Sequence, residues 1–186
     1  MVPRPGGCPV TVDLGSRLAA KVRDIPDFPS PGVVFKDITP LLADREAFAA
    51  TVDGIAGHFE GVAIDRVLGI EARGFIIAAP VAYRFGAGFT PVRKVGKLPW
   101  LVEQEAYELE YGSDLLEIHR DAVAPGERVL VIDDVLATGG TAAATVRLAE
   151  KLGADVVGLG FILELGFLHG RRRLPGREIV SLVTYD

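Results

Sequence analysis

Cysteine is nearly absent from this chain. Cys8 is the only one in 186 residues, so no internal disulfide can form, which fits a reducing compartment. Histidine is scarce too: His58, His119 and His169 are scattered, show no metal-site spacing, and are given no role. Positive charge is not in surplus, with 20 Lys and Arg against 25 Asp and Glu for a net charge of −5. That balance argues against non-specific binding to nucleic acid or to an anionic membrane, so any anionic ligand must be held by local positive groups. Long apolar runs are also missing. The longest, such as Val156–Leu163, reach about half of what a bilayer span needs. No apolar stretch follows the opening Met-Val-Pro-Arg-Pro-Gly-Gly, so no signal peptide is read there. A soluble cytoplasmic protein is expected.

What is present is an ordinary globular composition, 49% apolar and 24% charged, with length enough for one domain and a core. Residues 1–12 are rich in Pro and Gly and read as a flexible N-terminus, with a single domain over 13–186. Asp13 is placed to cap a helix with Leu14, Leu18, Val22 and Ile25 along one face. Asp44 is placed to cap a second helix, with Phe48, Val52, Ile55 and Phe59 on its stripe. Strands are expected at Val67–Ile70, Thr90–Lys94, Val129–Ile132, Val156–Leu163 and Ile179–Thr184. A helix from Phe75 to about Phe85 is expected to be kinked or shortened by Pro80. Another runs from about Thr141 to Leu152, and Leu115–His119 reads as part of a hairpin. Alternating strands and helices argue for a parallel sheet flanked by helices, whose ligands bind at the carboxyl ends of the strands.

The most telling stretch is Val129–Thr141, VLVIDDVLATGGT. An apolar, mostly β-branched run fits a strand buried on both faces. Ala137, Thr138, Gly139, Gly140 and Thr141 then form a turn whose glycines permit close backbone approach, and a helix follows. Free N–H groups at a helix N-terminus suit a phosphate. Asp133 and Asp134 would repel phosphate, yet they match the vicinal hydroxyls of a sugar, so the pattern reads as a ribose 5-phosphate site. It is neither a Walker loop, since no Lys follows the second Gly, nor a dinucleotide fingerprint. Receiver-type domains also end a strand in Asp-Asp, so spacing alone leaves the site open.

The same stretch resembles the phosphoribosyl-pyrophosphate (PRPP) loop of the type I phosphoribosyltransferases. Glu71-Ala72-Arg73-Gly74-Phe75 is similar to that family's pyrophosphate loop, and Val92–Pro99 with Tyr107–Gly112 to its flexible catalytic loop. FPSPGVVFKDITPLL, Phe28–Leu42, is similar to the base-binding hood strand of the adenine-specific branch. The segments occur in family order, and the resemblance covers roughly residues 16–186.

The resemblance implies an α/β type I phosphoribosyltransferase fold. A central, mainly parallel twisted sheet would be flanked by helices, with a small hood around 26–42 and a flexible loop around 95–112. It implies transfer of phosphoribose from PRPP to adenine, giving AMP and pyrophosphate, with Mg²⁺ held mainly by PRPP and water rather than by dedicated ligands. It assigns ribose to Asp133 and Asp134, phosphate to Ala137–Thr141, and pyrophosphate to Ala72, Arg73, Gly74, Arg93, Lys94 and Lys97. Adenine falls to Val34, Phe35 and Lys36, mainly through main-chain groups. Arg73 and Glu110 are the catalytic candidates, Glu110 as proton acceptor, and Tyr111 packs or hydrogen-bonds across the closed loop. Glu103, Glu105 and Glu108 crowd the same loop, and sequence does not separate Glu110 from them. A non-proline cis peptide, where family members have one, would fall near Glu71-Ala72. A homodimer is implied as well. Alternatives are a relative preferring xanthine or hypoxanthine-guanine, or a PRPP-sensing regulator, which would carry a DNA-binding domain and a basic surface. Trp100 departs from the family pattern, and Arg171-Arg172-Arg173 reads as a solvated helix or turn.

Overall fold

The computed structural model describes residues 13–109 and 112–186. The N-terminal segment 1–12, Glu110 and Tyr111 lie outside the described residues. In chain order the elements are α1 (Leu14–Ala19), β1 (Arg23–Pro26), β2 (Val34–Asp37), α2 (Thr39–Ala43), α3 (Arg45–His58), β3 (Arg66–Ile70), α4 (Gly74–Phe85) and β4 (Gly88–Lys94). Then follow β5 (Val102–Leu109), β6 (Gly112–His119), β7 (Arg128–Leu136), α5 (Gly140–Lys151), β8 (Asp155–Leu165), two 3₁₀ turns across Gly166–Arg173, and β9 (Ile179–Tyr185).

Seven strands form one sheet in the order β5-β6-β4-β3-β7-β8-β9. From β4 to β9 the neighbours run parallel, and β6 and β5 are added antiparallel at one edge. Strand alternation divides the core between the two faces. Val129 and Val131 join Leu68, Leu148 and Phe161 under α5, whereas Leu130 and Ile132 join Ile55, Phe59, Ile77 and Val81 under α3 and α4. Because both sides of β7 are covered, its sequence is continuously apolar rather than alternating.

From β3 the chain passes to β4 on one side and later returns with β7 on the other. That reversal makes a crevice at the carboxyl ends of β3 and β7. β3 pairs with β7 only as far as Gly69↔Ile132, while β7 runs on beside β8 to Leu136. Asp133 and Asp134 therefore belong to the strand itself, past the point where β3 gives way to the Glu71–Gly74 turn.

Several expectations need correction. The first helix ends at Ala19, and Ile25 lies in β1 opposite Phe35. The residue before a proline is biased towards extended backbone, and pairing with β2 completes that choice. The hood is thus a hairpin that begins at Arg23 rather than around residue 26. α4 continues through Pro80 to Phe85. The carbonyl that Pro80 leaves without a donor belongs to Ile76, on the exposed side of the helix, where water can satisfy it. The segment read as a loop around 95–112 is a loop only as far as Leu101, because Val102–Leu109 forms β5 against β6. Its strand character was hidden because Glu103 and Glu105, rather than apolar residues, share the face of Tyr107 that turns inward. Glu105 meets Arg147 and Lys151 of α5 there.

Candidate active site

A cavity of about 420 Å³ opens at the crevice between β3 and β7. Four separate segments line it: Val33–Lys36 of the hood, Glu71–Arg73, Asp133–Val135, and Ala137 with Thr141. Lys94, Tyr107, Leu116 and Leu165 complete the wall.

The carboxylate pair is held by the turn that follows β3. The Arg73 Nε donates to Asp134 Oδ2, and Asp134 is buried. The Arg73 guanidinium also lies over the Phe35 ring, 5.4 Å from its centroid, so one cation joins the Asp133-Asp134 pair to the hood strand. Asp133 keeps part of its surface open. Burial, and then the neighbouring Asp134 charge, push its carboxyl well above the usual carboxylate range. Gly74 is required beside it, because a Cβ there would sit 2.8 Å from Asp133 Oδ1. The Glu71-Ala72 peptide is cis, at the position named for the family's pyrophosphate loop.

The turn before α5 is shaped by a second close approach. Gly139 has φ +79°, and a Cβ on it would run into the carbonyl oxygen of Gly170. A Cβ on Gly170 would in turn strike the Ala137 carbonyl. The 3₁₀ segment after β8 therefore braces the loop from behind. Arg171 anchors that segment with hydrogen bonds from Nε and Nη2 to Glu164, the shortest 2.7 Å. A second small hollow, about 50 Å³, is lined by Asp133, Ala137, Thr138, Gly139 and Thr141, while Gly140 opens the helix. The free N–H groups of the first turn of α5 face the same loop.

On the other side, the basic residues are tied more closely to protein than expected. Arg93 makes paired hydrogen bonds to Glu71, both 3.1 Å, and donates a third to the Lys97 carbonyl. Glu71 also accepts the Lys94 N–H. Burial alone would raise the Glu71 carboxyl, but Arg93 and that N–H outweigh it, leaving it below its ordinary range. Arg73 thus pairs with Asp134 rather than with Glu71. Lys94 reaches the cavity wall, whereas Arg93, Lys97 and Gly74 do not line it.

In the hood, the side chain of Lys36 turns to Asp24 at 2.7 Å and lies over the Tyr185 ring at 4.1 Å. Val34 and Lys36, two apart in β2, share an edge, so their main-chain groups point the same way. Of the loop carboxylates, Glu105 is engaged by Arg147 and Lys151, and Glu103 lies 3.6 Å from Arg120. Neither lines the cavity. Trp100 is exposed and meets the His119 ring edge-on at 6.4 Å.

A phosphoribosyl transferase domain is matched over residues 42–178. The adenine phosphoribosyltransferase of Acidothermus cellulolyticus is 57% identical over 171 residues, 92% of this chain and 97% of that protein. The chain belongs to the adenine phosphoribosyltransferase family. Its fold agrees with two solved adenine phosphoribosyltransferases. The enzyme of Thermoanaerobacter pseudethanolicus superposes with TM-score 0.88 at 50% identity, covering 91% of this chain and 98% of that one. The enzyme of Saccharomyces cerevisiae, complexed with an imino-altritol bisphosphate and adenine, gives 0.86 at 39% identity, covering 91% and 98%.

Seen as a family site, the cavity includes residues that the sequence did not single out. Val33, Glu71, Tyr107, Leu116, Val135 and Leu165 line it, and Gly170 supports it from outside. Tyr107 is buried and donates to Asp114 at 3.0 Å. Burial, helped by that carboxylate, pushes its hydroxyl up to about 12. Its place three residues before Glu110 in a family-like segment was the available signal. Gly170 gave none, since a lone Gly before three arginines reads as an ordinary turn.

Proposed function

We propose that this chain transfers the 5-phosphoribosyl group of PRPP to adenine, giving AMP and pyrophosphate in purine salvage. One observation carries the reading: a single cavity is lined at once by the hood strand, the Ala72-Arg73 turn, the Asp133-Asp134 pair and the two ends, Ala137 and Thr141, of the loop before α5. These are the groups that the base, pyrophosphate, ribose and 5-phosphate each require.

The 5-phosphate sits in the Ala137–Thr141 loop, on N–H groups at the start of α5. Asp133 and Asp134 accept hydrogen bonds from the ribose hydroxyls, and the negative charge the pair shares favours the positive charge that grows on the sugar as the anomeric bond breaks. Ala72, Arg73 and Gly74 receive the leaving pyrophosphate, the guanidinium offering paired donors and the small neighbours allowing backbone approach. Lys94 and Lys97 add charge from the following turn, and Arg93 fixes that turn through Glu71. Adenine lies against Phe35, its N6 donor and N1 acceptor read by main-chain groups of Val34 and Lys36. A 6-oxopurine presents the opposite polarity at those atoms, at a cost of about 1–3 kcal/mol for each buried group left unpaired. Glu110 accepts the proton released from adenine and Tyr111 closes beside it. The engagement of Glu103 and Glu105 by basic partners favours Glu110 over those two neighbours.

Mg²⁺ fits this donor set as a passenger of the substrate. Hard oxygen ligands are plentiful on PRPP itself, so dedicated protein ligands are unnecessary. When bound, the ion neutralises pyrophosphate charge. A homodimer is supported by the outward face of α4, where Ile76 is 45% and Tyr83 89% exposed. A cytoplasmic setting is supported by the lone cysteine, and no described helix is long and apolar enough to cross a membrane.

The test is to incubate the protein with PRPP, Mg²⁺ and each purine in turn and identify the nucleotide formed. AMP from adenine alone supports the proposal, and IMP or GMP would move it to a 6-oxopurine relative. No product would favour a sensor. Glu110→Gln should lower turnover with little change in PRPP affinity, and near-normal turnover would remove Glu110 from the mechanism.

A further inference from the structure

The turn that carries the basic residues hangs on a carboxylate outside the cavity. Glu117 lies in β6, cross-strand from Arg93 on one side and from Gln104 on the other. It is only 2% exposed, and its neighbour Leu116, facing the other way, lines the cavity wall instead. One oxygen of Glu117 accepts the backbone N–H groups of both Lys97 and Leu98, each at 3.0 Å, and the other meets the Gln104 amide at 3.4 Å. Burial of Glu117 favours its neutral form, but the N–H groups of Leu98, Gly96 and Lys97 outweigh it and keep the carboxyl below its ordinary range. No lysine or arginine is paired with Glu117 among the described contacts. A buried charge is costly unless its hydrogen bonds are filled, so this turn and this carboxylate specify each other.

The turn leads directly back to the pyrophosphate end of the cavity. The Lys97 carbonyl accepts from Arg93, Arg93 clasps Glu71, and Glu71 also takes the Lys94 N–H. Glu71 and Ala72, joined by the cis peptide, are part of the cavity wall. The chain Glu117–Lys97–Arg93–Glu71 therefore connects a buried anchor to the wall by hydrogen bonds of 3.0 to 3.1 Å.

We propose that Glu117 is a positioning residue: by fixing the 96–98 turn it sets Arg93 and Glu71, and so the pyrophosphate-binding wall, without touching substrate. The proposal rests on the phosphoribosyl-transfer reading above. It predicts a selective defect, because AMP carries no pyrophosphate and uses the Ala137–Thr141 loop, which this network does not reach.

The experiment compares Glu117→Ala, Glu117→Asp and Glu117→Gln with the unsubstituted protein. Steady-state KM for PRPP and adenine, equilibrium binding of AMP, and the thermal midpoint are measured for each. Glu117→Ala should raise the KM for PRPP about tenfold or more while AMP affinity stays within about twofold. Glu117→Asp keeps the charge but withdraws it by one methylene. It should show a smaller rise at a near-normal midpoint, and it carries the test if the alanine variant is too unstable to assay. Glu117→Gln, whose amide oxygen can still accept both N–H groups while Gln104 flips, should recover most of the PRPP affinity. If KM for PRPP is unchanged in the alanine and aspartate variants, or if AMP affinity falls in parallel with it, Glu117 is merely structural and the proposal is overturned. Failure of the unsubstituted protein to make AMP would overturn the phosphoribosyl-transfer reading as well, which separates the two failures.

Discussion

The two walls of the cavity are built on different principles. On the side proposed for phosphate, β7 lies between β3 and β8 with Val129–Ile132 wholly buried, and the loop that follows is wedged against Gly170. On the side proposed for the base, β2 pairs only with β1, in a two-stranded sheet apart from the main one, and Val34 is 50% exposed. The first wall gets its geometry from the core and cannot shift without disturbing it. The second depends on a few ring contacts, such as Phe28 against Phe35 at 5.2 Å, and can adjust to the base at small cost. In the proposed reaction phosphate and ribose stay the same whatever the base, so a fixed wall would suit them. The base is what such a reaction must discriminate, and the proposed function assigns it to the more exposed element.

Substitutions can break or sharpen that contrast. Gly139→Ala should have the largest effect, because it adds a Cβ at φ +79° and drives it into the Gly170 carbonyl. Turnover should fall about 100-fold or more and stability by about 2 kcal/mol or more, read by kinetics and by denaturant unfolding. A normally stable Gly139→Ala protein with full activity would mean that the phosphate wall is not rigid. Phe35→Ala should act on the other wall alone. The KM for adenine should rise about tenfold, with the KM for PRPP and the thermal midpoint nearly unchanged. A midpoint lowered as far as in Gly139→Ala would erase the distinction between the walls.

The smallest effect is expected at Glu164, which ties Arg171 and the bracing 3₁₀ segment to β8. The Arg171 guanidinium, against the opposing pull of burial, holds the Glu164 carboxyl below its ordinary value of 4.5. A carboxylate with a depressed folded pKa stabilises the protein above its unfolded pKa and loses that contribution as pH falls through the folded one. The midpoint of Glu164→Gln should therefore lie below that of the unsubstituted protein above about pH 5, with the gap closing towards about pH 3. Because Arg171 is half exposed, the difference should stay near 1 kcal/mol.

Much of the phosphate wall was legible because its signals are local. Asp133, Asp134 and the Thr138–Thr141 turn lie close together in sequence, and the resemblance to a PRPP loop narrowed what an apolar β-branched run with a glycine turn before an alanine-rich helix left open. Other parts depended on pairs distant in sequence. Ile25 was read as helical because apolar spacing cannot foresee that Phe35 will pair with it. β5 was read as loop because its inward residues are charged, and Arg147 and Lys151, the partners of Glu105, lie more than forty positions away. The same holds for Arg73, whose partner Asp134 lies 61 positions away.

The sequence by itself determined the α/β class, the strand that carries Asp133 and Asp134, the turn before α5 and the family to which these segments belong. The first three follow from residue type and spacing within about fifteen positions, the range over which backbone preference and hydrophobic periodicity act, whereas the family comes from the resemblance of several segments spread over roughly residues 16–186. Only the tertiary structure decided that β3 stops short of β7, so that Arg73 meets Asp134, that Gly170 backs Gly139, and that Glu117 holds the turn beyond Arg93. Those contacts come from the order in which strands are laid side by side. That order is set by how the whole chain buries its apolar faces, which no single segment encodes.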